Sequence, residues 1–386
     1  MKPWHVIIYC VAALLGFSIV TVYSTDMTTS GSCGSGYQSI KHIVWIGISS
    51  LLLMVMSKID YHYLQKLSIP LLVVSFILLV LVLVPGIGTV TNGARRWIRL
   101  NRVLGIQPSE FAKLAMLIFI ASYLAKNQGR MSQFIFGFVI PMGVAVVISA
   151  LVLKEPDFGT AVFIAILSLI LLMIGGTGMI YVIFAAMAVT PCIHKMLFDV
   201  PFRKIRLLVF LDPWKDPSGA GYQIIQSWIA LGSGGLTGLG LGSSRQKLFF
   251  LPESNSDFIF TIIGEEFGFL GASLVIGLFL LLVWHGLKIV HAAKDVFGFF
   301  LGLGITVMFG LQAILNIAVV SGVLPTKGIP LPFVSSGGSS LLFSMIGVGI
   351  LVNIARQSSL PETINVPAEK VELSENKLSS ISPLKV

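Results

Sequence analysis

The strongest constraint in this sequence is a succession of apolar runs long enough to cross a bilayer. A spanning helix needs about 20 predominantly apolar residues. Ten segments meet or approach that length: 5–24, 41–57, 67–85, 108–125, 133–153, 160–175, 178–195, 258–287, 296–324 and 336–355. The sixth and seventh are separated only by Gly175, Gly176, Thr177 and Gly178, and together they are too long for one crossing, so they read as two. In lipid only helices and closed barrels satisfy their own backbone groups, and these runs lack the alternation of strands. The predicted fold is an all-α polytopic membrane protein of about ten transmembrane helices, with a long extracytoplasmic loop between helices 7 and 8. Composition agrees: 55% of the residues are hydrophobic and only 11% charged, where a soluble domain carries about 25% charged residues.

Residues 1–356 read as the membrane domain, with 196–257 as its large loop, and 357–386 as a polar, disordered tail on the cytoplasmic side. The first run lacks a small-residue cleavage site and reads as a retained anchor. Cys10, Cys33 and Cys192 show no CxxC spacing, and the six histidines are scattered, so neither a zinc site nor a disulfide framework is marked. With the N-terminus inside, both termini are cytoplasmic and the inner loops carry Lys58, Lys66, Lys126, Arg130, Lys288, Lys294 and Arg356, as the positive-inside rule expects. Two outer segments break the rule. One is 86–107, with Arg95, Arg96, Arg99 and Arg102; the other is the long loop, with Arg203, Lys204, Arg206, Lys215, Arg245 and Lys247. Charge alone therefore does not set the orientation. Arg95 and Arg96 beside Trp97 read as an interfacial segment with an aromatic anchor. Guanidinium groups grip phosphate with paired hydrogen bonds, so a lipid-linked pyrophosphate is one target. Snorkelling arginines on an ordinary amphipathic helix are the other reading, equally open.

The polar stretches hold the candidates for chemistry. In QPSEFAKL, Pro108 and Ser109 suit a helix start, and Glu110 and Lys113 are spaced to pair on one helix face. In KEPDFGTA, Glu155 and Asp157 sit at a turn, where capping explains them as well as function does. The glycine-rich run after Tyr222 does not follow the phosphate-loop pattern. Close backbone approach to a sugar or lipid, or a re-entrant loop, fits it better. Asp257 then stands directly before an apolar run, and a carboxylate at a membrane boundary is a functional candidate by default. Arg245 and Lys247 precede it and are candidate pyrophosphate contacts. Glu265 and Glu266 follow it by about two helical turns and read as packing residues. The stretch LPTKGIPLPFVSSGGSSLL at 324–342 supplies Lys327 and Ser336 as further substrate-binding candidates, its irregular backbone suited to lining a cavity.

Together, NGARRWIRL, QPSEFAKL, EPDFGTA, LDPWKDPSGAGYQIIQSWIALGSGG, LPESNSDFIFTIIGEEFG and GIPLPFVSSGGSSLL, in this order from residue 92 to 342, resemble the SEDS family of bacterial peptidoglycan glycosyltransferases. GLGSSRQKLFFLPES is more similar to the cell-division branch than to the elongation branch. The resemblance implies polymerisation of lipid II into glycan strands on the outer face of the cytoplasmic (inner) membrane. Asp257, in DFIF, would activate the acceptor's 4-hydroxyl and undecaprenyl pyrophosphate would leave. It assigns Arg95, Arg96 and Trp97 to holding the lipid or the loop. It implies a class B penicillin-binding protein (a transpeptidase), the lipid-linked strand and other division proteins as partners, at the division site, with no role for nucleic acid. It requires no organic cofactor. A divalent cation, Mg²⁺ or Mn²⁺, on the pyrophosphate fits, although no ligand cluster marks a metal site. Asn255-Ser256 replaces the family's frequent His-Thr, which puts the details of acceptor contact in doubt. A lipid II flippase and a non-catalytic division scaffold are the competing readings; the lack of an internal repeat counts against the first.

Overall fold

A computed structural model of the chain describes residues 2–29, 36–91, 94–99, 105–185, 187, 190, 205, 208–219, 221–244, 246–247, 256–326 and 328–359. Among the described residues, helices occupy nine of the ten expected positions, and the start of the seventh is also helical. α1 (Pro3–Thr29), α2 (Tyr37–Met56), the short α3 (His62–Lys66), α4 (Ser68–Leu83), α5 (Pro108–Lys126), α6 (Ile140–Lys154, preceded by a π-helical turn) and α7 (Phe158–Ile174) account for the first six runs. After a loop helix, α8 (Tyr222–Ser233), come α9 (Ile259–His291), α10 (Val296–Val320) and α11 (Gly338–Ser359). Seven helices among the described residues are long and apolar enough to cross a membrane, and α4 and α7 are shorter apolar helices at the third and sixth predicted positions. The chain is a multi-pass membrane protein.

The division between the sixth and seventh runs is present: α7 stops at Gly175, Gly176 turns left-handed with φ 94°, and helix resumes over 179–185. Most of the rest of the seventh run lies outside the described residues, as do Cys33, Cys192, Arg245, Lys327 and the tail from 360. The helical end of α11 runs three residues into the predicted tail, to Ser359.

α5 and α11 form the centre of the bundle, 78% of each apolar window being buried, whereas α2 buries only 22% and faces outward. Small residues let the helices close up. A Cβ on Gly286 of α9 would lie 2.6 Å from Thr306 Oγ1 of α10, and one on Gly349 of α11 would lie 2.8 Å from the Leu53 carbonyl of α2. At one end of the bundle Asn353 of α11 accepts from the Tyr61 N–H and donates to the Ser57 carbonyl, tying the turn after α2 to the central helix. The candidate site lies at the opposite end.

There the segment 86–107 departs from the reading of an interfacial amphipathic helix. It is a three-stranded antiparallel sheet: β1 (Gly88–Thr91), β2 (Ala94–Arg99) and β3 (Gly105–Ile106), in that order. The physical reason is composition. Thr89, Val90, Thr91, Trp97 and Ile98 are β-branched or aromatic residues that favour a pleated, half-buried surface.

Candidate functional site

Asp257 lies in the turn that leads into α9, half-buried, with Phe258 buried behind it. The backbone around it is clamped. Asn316 of α10 donates through Nδ2 to the Asp257 carbonyl and to the Ile329 carbonyl, both at 2.8 Å. Ser335 donates to the Ser256 carbonyl at 2.6 Å and accepts from the Leu331 N–H at 2.8 Å. Gln312, one turn before Asn316, donates to the Pro330 carbonyl. The irregular segment from Gly328 to Ser335 is thus held against the Asp257 turn by two polar side chains of one helix and one serine. Gly328 is where the two approach: a Cβ there would sit 2.8 Å from Asp257 Oδ2. Gly328 is exposed, and Asp257 is partly so, at the end of the bundle.

The neighbouring wall comes from α5, α7 and the sheet. Asp157 caps α7, accepting from the Thr160 N–H at 3.1 Å and the Thr160 hydroxyl at 2.9 Å, and Gly159 packs against Ile329. Gln107 donates to Asp157 and to Ser109, while its N–H donates to Ser339 of α11, which in turn donates to the Gly105 carbonyl of β3. Thr89 pairs with Trp97 and Val90 with Arg95, so Arg96 is the extra residue of a β-bulge, a device that re-aims a side chain. Its guanidinium reaches the Glu155 carbonyl at 3.1 Å and the Pro156 carbonyl, pinning the turn before α7.

Glu155 itself is fully buried, and neither carboxylate oxygen has a partner among the described residues. Burial, reinforced by the charge of Asp157 and opposed by Arg96, pushes its carboxyl up to about 8. An acid raised in the folded chain keeps its proton there while the unfolded chain releases it near 4.5. Stability should therefore fall as pH rises from about 4.5 to about 8 and level off above that. Glu155→Gln is expected to flatten this slope and to raise the thermal midpoint at pH 8.5 while changing little at pH 5, as read by unfolding of the detergent-solubilised protein at both values.

Glu110 and Lys113 pair at 2.8 Å on α5, both buried, with the Lys113 ammonium over the Phe163 ring of α7. They form the ion pair anticipated, within one helix. Lys247, read as a pyrophosphate contact, is instead buried against Glu266 at 2.9 Å. Glu265 accepts from Ser244. Arg95 and Trp97 stand half-buried on β2, and Ser336 lies just before α11. The structure thus brings Asp257, Arg96, Glu155, Asp157 and Ser336 to one end of the bundle and places Lys247, Glu265 and Glu266 in a separate buried cluster. Gln312 and Asn316 are not among the residues singled out from the sequence, yet two amides one turn apart in an apolar helix are a legible signal.

The sequence profile of the FtsW, RodA and SpoVE cell cycle proteins matches residues 5–360. The chain belongs to this family. It is an FtsW-type SEDS protein: a probable peptidoglycan glycosyltransferase FtsW of Trichlorobacter lovleyi is 44% identical over 91% of this chain and 92% of its own. Stage V sporulation protein E of Bacillus subtilis is 38% identical over 92% and 98%. Among solved structures, one from a peptidoglycan synthase complex that coordinates polymerization and crosslinking superposes with a TM-score of 0.75 at 27% identity, covering 92% of this chain and 98% of that one. The rod shape determining protein RodA of Thermus thermophilus shares the fold, with a TM-score of 0.68 at 24% identity over 92% and 97%.

Proposed function

We propose that this SEDS protein is a peptidoglycan glycosyltransferase that polymerises lipid II during cell division at the outer face of the cytoplasmic membrane, with both termini cytoplasmic. The observation that carries the reading is the Asp257 carboxylate, set over Gly328 on a backbone clamped from two sides. In the reaction Asp257 takes the proton of the acceptor's 4-hydroxyl, the freed oxygen attacks the donor's anomeric carbon, and the bond from that carbon to the pyrophosphate breaks. The electron pair leaves with undecaprenyl pyrophosphate, a leaving group that needs no strong acid to depart; one carboxylate suffices, where hydrolases of alkyl glycosides need two. Arg95 and Trp97 of the sheet, with Arg245, Lys327 and Ser336, are proposed to hold the lipid-linked substrate. Arg96 holds the turn beside it.

Among the described residues no three His, Cys, Asp or Glu side chains converge on one point. A divalent cation would then arrive with the pyrophosphate, whose oxygens supply the hard ligands that Mg²⁺ takes from substrate phosphates. The proposed partner is a class B penicillin-binding protein that crosslinks the new strand.

The test uses the purified chain with its transpeptidase partner and labelled lipid II, in a Mg²⁺ or Mn²⁺ series. Glycan ladders on a gel support the polymerase. Absence of ladders together with translocation of lipid II across vesicles would replace it with a flippase; absence of both would leave a scaffold. Asn316→Leu frees two backbone carbonyls at the site, each costing about 1–3 kcal/mol when left unpaired. That variant is expected to lower both the thermal midpoint and the polymerisation rate.

A further inference from the structure

Lys247, Glu266 and Ser24 form a buried cluster that the proposed chemistry does not use. The Lys247 ammonium and Glu266 Oε1 meet at 2.9 Å, with side chains 1% and 0% exposed. Ser24 of α1 joins them, donating to the same oxygen at 2.6 Å and accepting from Lys247 Nζ at 2.8 Å. Glu266 Oε2 has no partner among the described residues. A buried pair left half-satisfied in this way is poorly suited to stabilise a fold. Its desolvation offsets its attraction, and well-packed apolar side chains of similar volume often do as well or better.

What the pair does is topological. Lys247 precedes Asp257 in the chain and Glu266 follows it, two turns into α9. Their bond closes a loop with Asp257 near its middle, and Ser24 fastens the closure to α1. Asn316 and Ser335 hold the middle of that loop; the ion pair holds its two ends.

We infer that Lys247, Glu266 and Ser24 are a clasp that positions the loop carrying Asp257 for glycosyl transfer, and that Lys247 is not a pyrophosphate ligand. The inference rests on Asp257 being the base. A carboxylate displaced by about an ångström loses much of its catalytic effect while substrate binding elsewhere is untouched. The clasp therefore acts on kcat rather than on KM.

The experiment compares wild type, Lys247→Met/Glu266→Met, Lys247→Arg and Asp257→Asn as full-length protein with the transpeptidase partner, following lipid II polymerisation and thermal unfolding together. The double variant is expected to melt no lower than wild type, to keep its KM, and to lose kcat roughly 10- to 100-fold. Lys247→Arg, which preserves the charge pair, is expected to retain most of kcat. A wild-type kcat in the double variant would reduce the pair to packing. A raised KM with kcat intact would make Lys247 a substrate contact; either result overturns the clasp. Should the double variant fail to fold, the exchange Lys247→Glu/Glu266→Lys decides: it should recover kcat lost in each single variant, and no recovery sinks the proposal. Wild-type rates in Asp257→Asn would instead remove the base on which the inference rests, whatever the clasp variants do.

Discussion

Asp257→Asn should stop glycan-strand synthesis in a protein that still folds. Asparagine keeps the size and shape of the side chain but loses its negative charge and the ability to take a proton, so the loss should be about 10²–10⁴-fold, the usual contribution of a positioned general base. The fold should survive because the turn is clamped largely through its backbone. Asn316 binds the Asp257 carbonyl and Ser335 the Ser256 carbonyl. Ser227 of α8, bonded to Thr261 and to the Val320 carbonyl, holds the first turn of α9 from the other side. Lipid II binding, measured by retention on the immobilised protein, should be close to wild type, since the proposed substrate contacts are other side chains. Ladders of wild-type intensity from Asp257→Asn would take this carboxylate out of the chemistry. Loss of binding together with loss of ladders would make it a substrate contact.

Much of this site could be read from residues alone. A carboxylate placed directly before an apolar run has few structural excuses at a membrane boundary, and Asp257 stood out for that reason. The glycines of the long loop were legible as a site of close backbone approach. Their target was not, because the partner backbone lies in a helix that reads as continuous in sequence. The sheet at 88–106 is a different case. Residues 92 and 93, between the paired Thr91 and Ala94, are Asn-Gly, the strongest short signal for a hairpin. The arginines give the same segment the charge of an interfacial helix, which obscures the hairpin signal. The burial of Lys247 is illegible for a plainer reason: a lysine in a polar loop gives no hint of the buried acid that a distant helix brings to it.

Gly268→Ala is expected to be the most damaging small substitution in the chain. α9 breaks at Gly268, where φ is 67° and ψ is −162°, a combination essentially confined to glycine. The break is closed by the glycine loop after α8. Leu239 and Gly240 donate to the Glu265 and Glu266 carbonyls at 2.9 and 3.1 Å, while Phe269 and Leu270 donate to the Gly235 and Leu236 carbonyls at 2.9 and 3.1 Å. A Cβ on Gly268 would fall 2.3 Å from the Gly238 nitrogen and 2.7 Å from the Leu236 carbonyl carbon, backbone atoms that cannot rotate away. Forcing the two segments apart exposes broken-helix groups that find no water in lipid, each costing several kcal/mol. Alanine at 268 should therefore destabilise the protein by about 3 kcal/mol or more. Gly238→Ala should act alike, its Cβ lying 2.1 Å from the Glu266 carbonyl oxygen. Gly232→Ala provides the contrast, because nothing lies within 4 Å of the added methyl and alanine suits a helix better than glycine. Thermal unfolding of the three variants in detergent should rank 232 near wild type and 238 and 268 far below it; a Gly268→Ala protein that melts like wild type would show that the splice does not hold α9. The break also divides the work of this helix. Residues 258–266 are all buried and run from the Asp257 turn to the Glu265 and Glu266 cluster, whereas Phe269, Leu270, Leu280 and Trp284 beyond it are 60% exposed or more, as a lipid-facing helix requires. One apolar run thus serves first as a wall of the site and then as a membrane span, and Gly268 is where it changes.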